Sequence, residues 1–317
     1  MANLAGLTDP PHPDPLPRGE RGRLPRSATA TRRRLGVVAL LGTMTILTYG
    51  TTYYLLTVLA PPIVAETGWP LAWVIGGLSL GLLVSGLTAP WIGRRIEHQG
   101  GRAVLPAGCL VLAAGLALLA LAPSFWVYAL AWGVLGLGMA ATLYDAAFAA
   151  VGRQYGQQAR SMITLLTLFG GFASTVCWPL AALLVEWLDW RGACLVFAGL
   201  LLAIALPLRL ALAPPPPHVL PANVAANQPV RLERRLVRLL VVLGVCLALS
   251  ATISTVLSVH LVALLGVREV ALAGAVAFGT LIGPSQVCGR VIEFAVGRRF
   301  HPLWTLVSST LLMAVGL

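Results

Sequence analysis

From Leu35 onward the chain is a succession of apolar runs, each near the ~20 residues that an α-helix needs to cross a bilayer. They fall at about 35–60, 71–92, 103–122, 125–151, 161–185, 192–212, 236–265 and 270–292, with a last one from about 302 to the end. Inside lipid every backbone N–H and C=O must be satisfied internally, which leaves helices or closed barrels. The runs lack the alternating apolar and polar pattern of barrel strands, so helices are expected. Hydrophobic residues at 58% and charged residues at 10% have no place in a soluble core of this size. The fold class is therefore an all-α integral membrane protein whose first partner is the lipid bilayer.

The basic residues carry the topology. All 22 are arginine, opposed by 11 acidic residues, and the absence of lysine excludes a Walker-type phosphate loop and a Schiff-base enzyme. With the N-terminus inside, twenty arginines fall on the inner side and only Arg191 and Arg268 outside. This pattern explains the net charge of +11 without nucleic acid as a partner. Residues 1–34 are proline-rich and polar around Pro10–Arg21 and are expected to be a disordered extension. The same stretch resembles peptides translated from repeated intergenic DNA in bacteria, which makes a start further downstream an expectation. The five cysteines are scattered through apolar runs in no metal or disulfide pattern, and read as small buried hydrophobes. No metal and no cofactor is implied.

A repeat is hidden in the turns. The stretch Gly93-Arg94-Arg95-Ile96-Glu97-His98-Gln99-Gly100-Gly101-Arg102 returns as Gly289-Arg290-Val291-Ile292-Glu293-Phe294-Ala295-Val296-Gly297-Arg298. Six of ten positions are identical at an offset of 196 residues, on the same side of the membrane and six spans apart. Glycine lets the chain turn as it leaves the membrane, and the carboxylate and guanidinium can pair or cap helix ends. A six-helix repeat of the kind found in transporters is the reading.

On these residues the chain resembles the major facilitator superfamily. Gly93, Glu97, His98, Gly100 and Arg102 occupy that family's signature between helices two and three, with Glu in place of Asp and His in place of Arg. Trp190-Arg191 is similar to its aromatic-arginine turn. The resemblance implies a six-helix bundle over 35–212, a central cytoplasmic loop over 213–235 and a second bundle over 236–317. It also implies an inner membrane, in a bacterium, with a cytoplasmic N-terminus. The sequence ends inside the ninth span, so the second bundle would hold about three helices, and the chain alone is expected not to move solute. The arginine common in the fourth helix of proton-coupled exporters is replaced by Trp132, ahead of Gly133 and Gly136.

Polar and aromatic groups within the spans are the site candidates. Tyr49 and Tyr53 share a face of the first span, one turn apart, where solute contact competes with packing. Trp132, Trp178, His260 and Gln286 complete a mid-membrane set expected to bind a small organic solute, amphipathic or weakly anionic. Trp132 and Asp145 lie about 220° apart on one helix, so only one of them is expected on the cavity. Asp145 is expected to pair with Arg94 or Arg102. With Gly93, Glu97, Gly100 and Arg102 it forms the first half of an inner gate, and Gly289, Arg290, Glu293 and Arg298 form the second. Gly77 and Gly81 suit a close helix crossing. The string Gly77-Leu78-Ser79-Leu80-Gly81 matches a hydrolase elbow but sits within a continuous apolar run, not at a strand-to-helix turn, so an enzyme is not expected. The function indicated is secondary transport by alternating access, possible coupling to a proton included. A scaffold or sensor that kept the fold is the alternative.

Overall fold

The computed structural model describes residues 28–156, 159–212 and 234–267, together with 281, 284–285, 287–289, 291–292 and 302–316. Its principal helices are α1 (Ala28–Gly50), α2 (Leu55–Thr67), α3 (Leu71–Gln99), α4 (Gly101–Ala120) and α5 (Phe125–Thr142). They continue with α6 (Tyr144–Tyr155), α7 (Ala159–Gly171), α8 (Ala173–Ala211), α9 (Arg234–Val267) and α10 (Pro302–Gly316). Among the described residues there is no strand, and six helical stretches are long and apolar enough to cross a membrane. The chain is an all-α, multi-pass membrane protein.

One of those stretches, Ala159–Ala211, holds two crossings. At Asp189 the backbone takes φ 62° and ψ 179°, and the chain reverses. Met162 and Leu166 consequently share one buried cluster with Ile204 and Leu208, while Ala181 and Leu184 share another with Ala193 and Phe197. The reversal matches the gap expected between the runs at 161–185 and 192–212.

Other boundaries move. Residues 28–34, expected to be disordered, already belong to α1, and the first crossing continues to Thr67 rather than stopping near 60. The helix α3 runs on to Gln99, so Gly93 and Glu97 are helical rather than part of a loop. Only Gly100, at φ 73°, makes the turn, a setting that glycine adopts without the Cβ penalty. The rest of the N-terminal extension, the loop after Leu212 as far as 233 and most of the span expected at 270–292 lie outside the described residues. Cys109, Cys177 and Cys194 are buried as expected, but Cys246 and Cys288 are exposed.

Lipid tails are as apolar as leucine, so the helices associate through close packing and hydrogen bonds rather than through expulsion of water. Glycines supply the close approach. A methyl group at Gly77 would overlap the Trp132 ring, and one at Gly136 would overlap the Gly81 carbonyl. In the same way Gly108 and Gly115 of α4 receive Thr142 and Leu135 of α5. The α3, α4 and α5 helices thus meet backbone to backbone, and α8 packs along α4 and α1. In contrast, the apolar side chains of α9 from Leu236 to Leu249 are exposed, and among the described residues α9 meets this assembly chiefly at α2.

At the end remote from Gly100, one arginine ties three helix ends together. Arg191 pairs with Glu66 at 3.0 Å and donates to the carbonyls of Ala120 at 2.6 Å and Ala122 at 3.2 Å. The Trp190 indole donates to the same carboxylate, and the Arg191 guanidinium lies 4.3 Å over the Trp190 ring. The Asp189 carboxylate accepts the N–H of Arg191 at 2.7 Å and of Gly192 at 2.9 Å, holding the turn.

Two stability outcomes follow from this packing. Replacing Gly77 with valine should destabilise the folded bundle by about 1–3 kcal/mol through overlap with Trp132. The cost should largely vanish in a Trp132→Leu background, as a double-mutant cycle in detergent would read. Arg191→Ala should cost about 1–2 kcal/mol, mostly from the orphaned carbonyls, since a half-exposed ion pair contributes under ~1 kcal/mol. Arg191→Lys should recover less than half of it, because an ammonium cannot reach Glu66 and both carbonyls in that fork.

Candidate functional site: an aromatic cluster at two interrupted spans

The first crossing is broken between α1 and α2 by Thr51–Tyr54. The local sequence prepares this. Gly50 is followed by Thr51-Thr52-Tyr53-Tyr54, all poor helix formers, and threonine hydroxyls compete for backbone carbonyls. Thr45 donates to the Leu41 carbonyl, Thr48 to that of Thr45, and Thr51 and Thr52 both to that of Thr48. All four are fully buried. The chain then widens by one residue, with the Tyr54 N–H reaching back five positions to the Tyr49 carbonyl at 3.2 Å.

The break is held from outside by α8. The Cys177 thiol donates to the Ile46 carbonyl at 3.6 Å and lies where a side chain at Gly50 would otherwise stand. Next to it the Trp178 indole donates to the Tyr54 carbonyl at 3.2 Å and meets the Tyr54 ring edge-on at 5.8 Å. Trp178, expected at the solute, has its one polar group committed to this turn.

The fourth crossing is broken as well, at Leu143, whose backbone is extended (φ −70°, ψ −179°) between α5 and α6. No proline or glycine stands there, so packing must enforce the break. The Tyr144 hydroxyl donates to the Thr167 carbonyl at 3.3 Å and occupies the space left by Gly170. Its ring lies 4.7 Å from Tyr49 on one side and 5.0 Å from Phe148 on the other. The Tyr49 hydroxyl sits against the backbone of Tyr144, at the opening of α6. Tyr49 in turn stacks on Tyr53 at 5.5 Å. The two breaks thus place Tyr53, Tyr49, Tyr144 and Phe148 in one run, each half-buried.

Asp145 is exposed beside this run, in the first turn of α6, and acts electrostatically on both Tyr49 and Tyr53. The expected pairing with Arg94 or Arg102 is not formed. Arg102 instead donates to the Arg209 carbonyl at 3.1 Å, and Arg94 is exposed at the end of α3. The first turn of a helix favours a carboxylate, so α6 itself supports the charge of Asp145.

The same geometry relocates Trp132. It is 0% exposed, with its ring on Gly77 and Gly81 in the core between α3 and α5, not on an open wall. The angular argument that only one of Trp132 and Asp145 can face a cavity loses its basis, because the break at Leu143 puts them on different helices; Trp132 is buried and Asp145 is exposed. His260 lies on α9, and its side chain is outside the described residues, as are Gln286, Arg290, Glu293 and Arg298. Gly289 is described, helical and exposed. Sequence reasoning missed Tyr144, Phe148 and the threonine ladder. The run of poor helix formers after Gly50 was the available signal for the first break, and nothing local signals the second.

Two contacts with the later part of the chain lie near this run. Val287 packs on Gly171, the residue next to the glycine that receives the Tyr144 hydroxyl. The α9 helix touches α2 on the far side of the first break. The tyrosine run lies between these two contacts. A separate apolar recess of about 320 Å³ opens between Trp73, Gly76, Phe125 and Tyr128 and offers almost no polar group. Among the described residues no group of His, Cys, Asp and Glu could hold a metal ion.

The model of the Major Facilitator Superfamily matches residues 41–317. No curated protein matches the chain.

If Trp178 serves the turn, Trp178→Phe keeps the ring but removes the donor. Amide hydrogen exchange at Thr51–Tyr54 should then accelerate severalfold while overall stability falls by no more than about 1.5 kcal/mol. Unchanged exchange there would show that the indole donor does not hold the break.

Proposed function

This chain belongs to the major facilitator superfamily and is a membrane transporter of that kind, and we propose that it is a secondary transporter, or a fragment of one, of the sort that moves a small organic solute by alternating access. The observation that carries this reading is the tyrosine run at two interrupted spans. Discontinuous helices at membrane depth are tolerated only where they are buried in protein or line a cavity, and transporters place their solutes there. Half-buried tyrosine edges give a solute both apolar contact and hydrogen bonds. Tyr49, Tyr53 and Tyr144 are the contact residues, Trp178 positions them, and Trp132 belongs to the wall behind. His260 and Gln286 are kept as further candidates from the sequence alone.

The inner gate is assigned to the arginine-rich stretches, where Gly93, Arg94, Glu97 and Arg102 recur in the sequence as Gly289, Arg290, Glu293 and Arg298. Arg102, bound to the last turn of α8, couples the turn at Gly100 to the end of the sixth crossing. Its location is an inner membrane with the N-terminus on the cytoplasmic side, and the arginine distribution supports that orientation.

Binding should be visible in purified protein, since Trp178 adjoins the cluster and reports on it. Tyr49→Leu and Tyr53→Leu should each weaken quenching by an aromatic solute at least about tenfold, whereas Trp132→Phe should change it less than about threefold. Alternating access is tested with a single cysteine at position 53 in a background without native cysteines. Its labelling by an impermeant thiol reagent should fall from one side of a proteoliposome and rise from the other when solute is added. Labelling indifferent to solute would contradict the mechanism. Glu97→Gln with Glu293→Gln should alter the rate of that switch while expression stays normal. A wild-type rate in the double variant would leave the repeated stretch a topological role only.

A further inference from the structure

Tryptophan marks both edges of the bilayer on one side of α3. Trp73 and Trp91 are each about half exposed and stand 18 residues apart. That is about five full turns, so the two indoles share one line along the helix, about 27 Å apart. The separation is close to the ~30 Å of the hydrocarbon core, at whose two boundaries tryptophan concentrates. Between them Leu83 and Leu87 are exposed, within about 80° of the tryptophan line. Trp126 at the start of α5 and Trp187 just before the reversal at Asp189 are exposed too, at the end of the bundle where Trp73 stands. The buried residues Val74, Leu78, Ile92 and Ile96 of α3 are turned away by about 100–140°. This stripe therefore meets acyl chains.

At the arginine-rich end the stripe becomes basic. Arg94, Arg95 and His98 follow Trp91 at spacings of three, four and seven residues, and all four are exposed. They lie within about 100° of one another and begin about 5 Å beyond Trp91 along the axis, at the level of the phospholipid head groups. The Arg95 guanidinium lies 4.5 Å over the Trp91 ring. Stacking uses the face of the guanidinium and leaves its N–H edge for an anion, the fork that suits two phosphate oxygens. Glu97, the one acid between Trp91 and Arg102, is about 160° round the helix from Arg95. We propose that Trp91, Arg94 and Arg95 dock one anionic glycerophospholipid of the leaflet at this end, with its phosphate on the Arg95 edge and its acyl chains along Leu83 and Leu87. Charge complementarity and continuity with the lipid-facing stripe select this occupant, since a soluble phosphate would gain nothing from the tryptophan and the leucines. The site is independent of the tyrosine cluster and of what the protein carries.

Dioleoyl phosphatidylglycerol and dioleoyl phosphatidylcholine have the same chains and differ in net charge. Each is titrated into the full chain in detergent, and retained lipid is counted by native mass spectrometry. The anionic lipid should bind at least about tenfold more tightly than the zwitterionic one, and excess inorganic phosphate should not displace it. Arg95→Gln should weaken it about fivefold or more, the effect of one juxtamembrane charge. Arg95→Lys and Trp91→Leu keep the net charge but remove the fork or its platform, and each should weaken it at least about threefold. Arg160→Gln removes an exposed arginine at the start of α7 and should stay within about twofold of wild type. Retention of phosphatidylcholine should be the same in all four variants. A photoreactive p-benzoylphenylalanine at position 87, activated in native membranes, should form adducts with acyl chains. Equal retention of the two lipids, wild-type binding in Arg95→Lys and Trp91→Leu, or a loss in Arg160→Gln as large as in Arg95→Gln would overturn the site and leave only diffuse attraction. Adducts at position 87 to protein alone would overturn it as well, by placing a helix over the stripe.

Discussion

A backbone polar group left unpaired in hydrocarbon costs several kcal/mol, and two of this protein's crossings interrupt their own hydrogen-bond ladders. The structure depends on how those interruptions are satisfied. At the first, buried threonine hydroxyls take carbonyls of the preceding turn, and α8 supplies a thiol and an indole N–H to the rest. At the second, the Tyr49 hydroxyl meets the exposed start of α6, while Tyr144 anchors the new helix to α7. The first break is satisfied by its own threonines and by α8, the second by Tyr49 of the first crossing and by the anchor of Tyr144 on α7. The second break therefore leans on the first through Tyr49.

The remaining architecture serves to hold those elements at the required depth. Glycines bring α3, α4 and α5 into backbone contact and enclose Trp132, making a stiff wall behind the interrupted helices. The Arg191 fork ties the end of α2 to α4 and α8, fixing the far end of the first broken crossing. At the opposite end Arg102 binds the last turn of α8. Between these two tied ends lie the interruptions at Thr51–Tyr54 and Leu143.

Much of the fold was legible because the bilayer imposes a length and a polarity on every crossing. Apolar runs located the helices, and the glycine pair at Gly77 and Gly81 marked a real close approach. The site was legible only in part. Tyr49 and Tyr53 could be placed on one face from helical spacing, but spacing along α5 could not tell whether Trp132 faced a cavity or a neighbouring glycine. Asp145 was assigned to an arginine because the repeated turn is rich in them. That assignment required knowing that Arg102 is occupied by the Arg209 carbonyl, more than one hundred residues away in sequence. The break at Leu143 left no local trace, since it is imposed by Tyr144 packing on Gly170 from another helix. Tertiary contacts, not propensities, decided each of these.

The central claim is that the tyrosine cluster faces the later helices of the same chain rather than lipid. A photoreactive p-benzoylphenylalanine at position 53, activated in native membranes and mapped by mass spectrometry, tests this without knowledge of the solute. The account predicts adducts to α9 or to the segment around Val287, within the same polypeptide. Adducts confined to lipid acyl chains would contradict it.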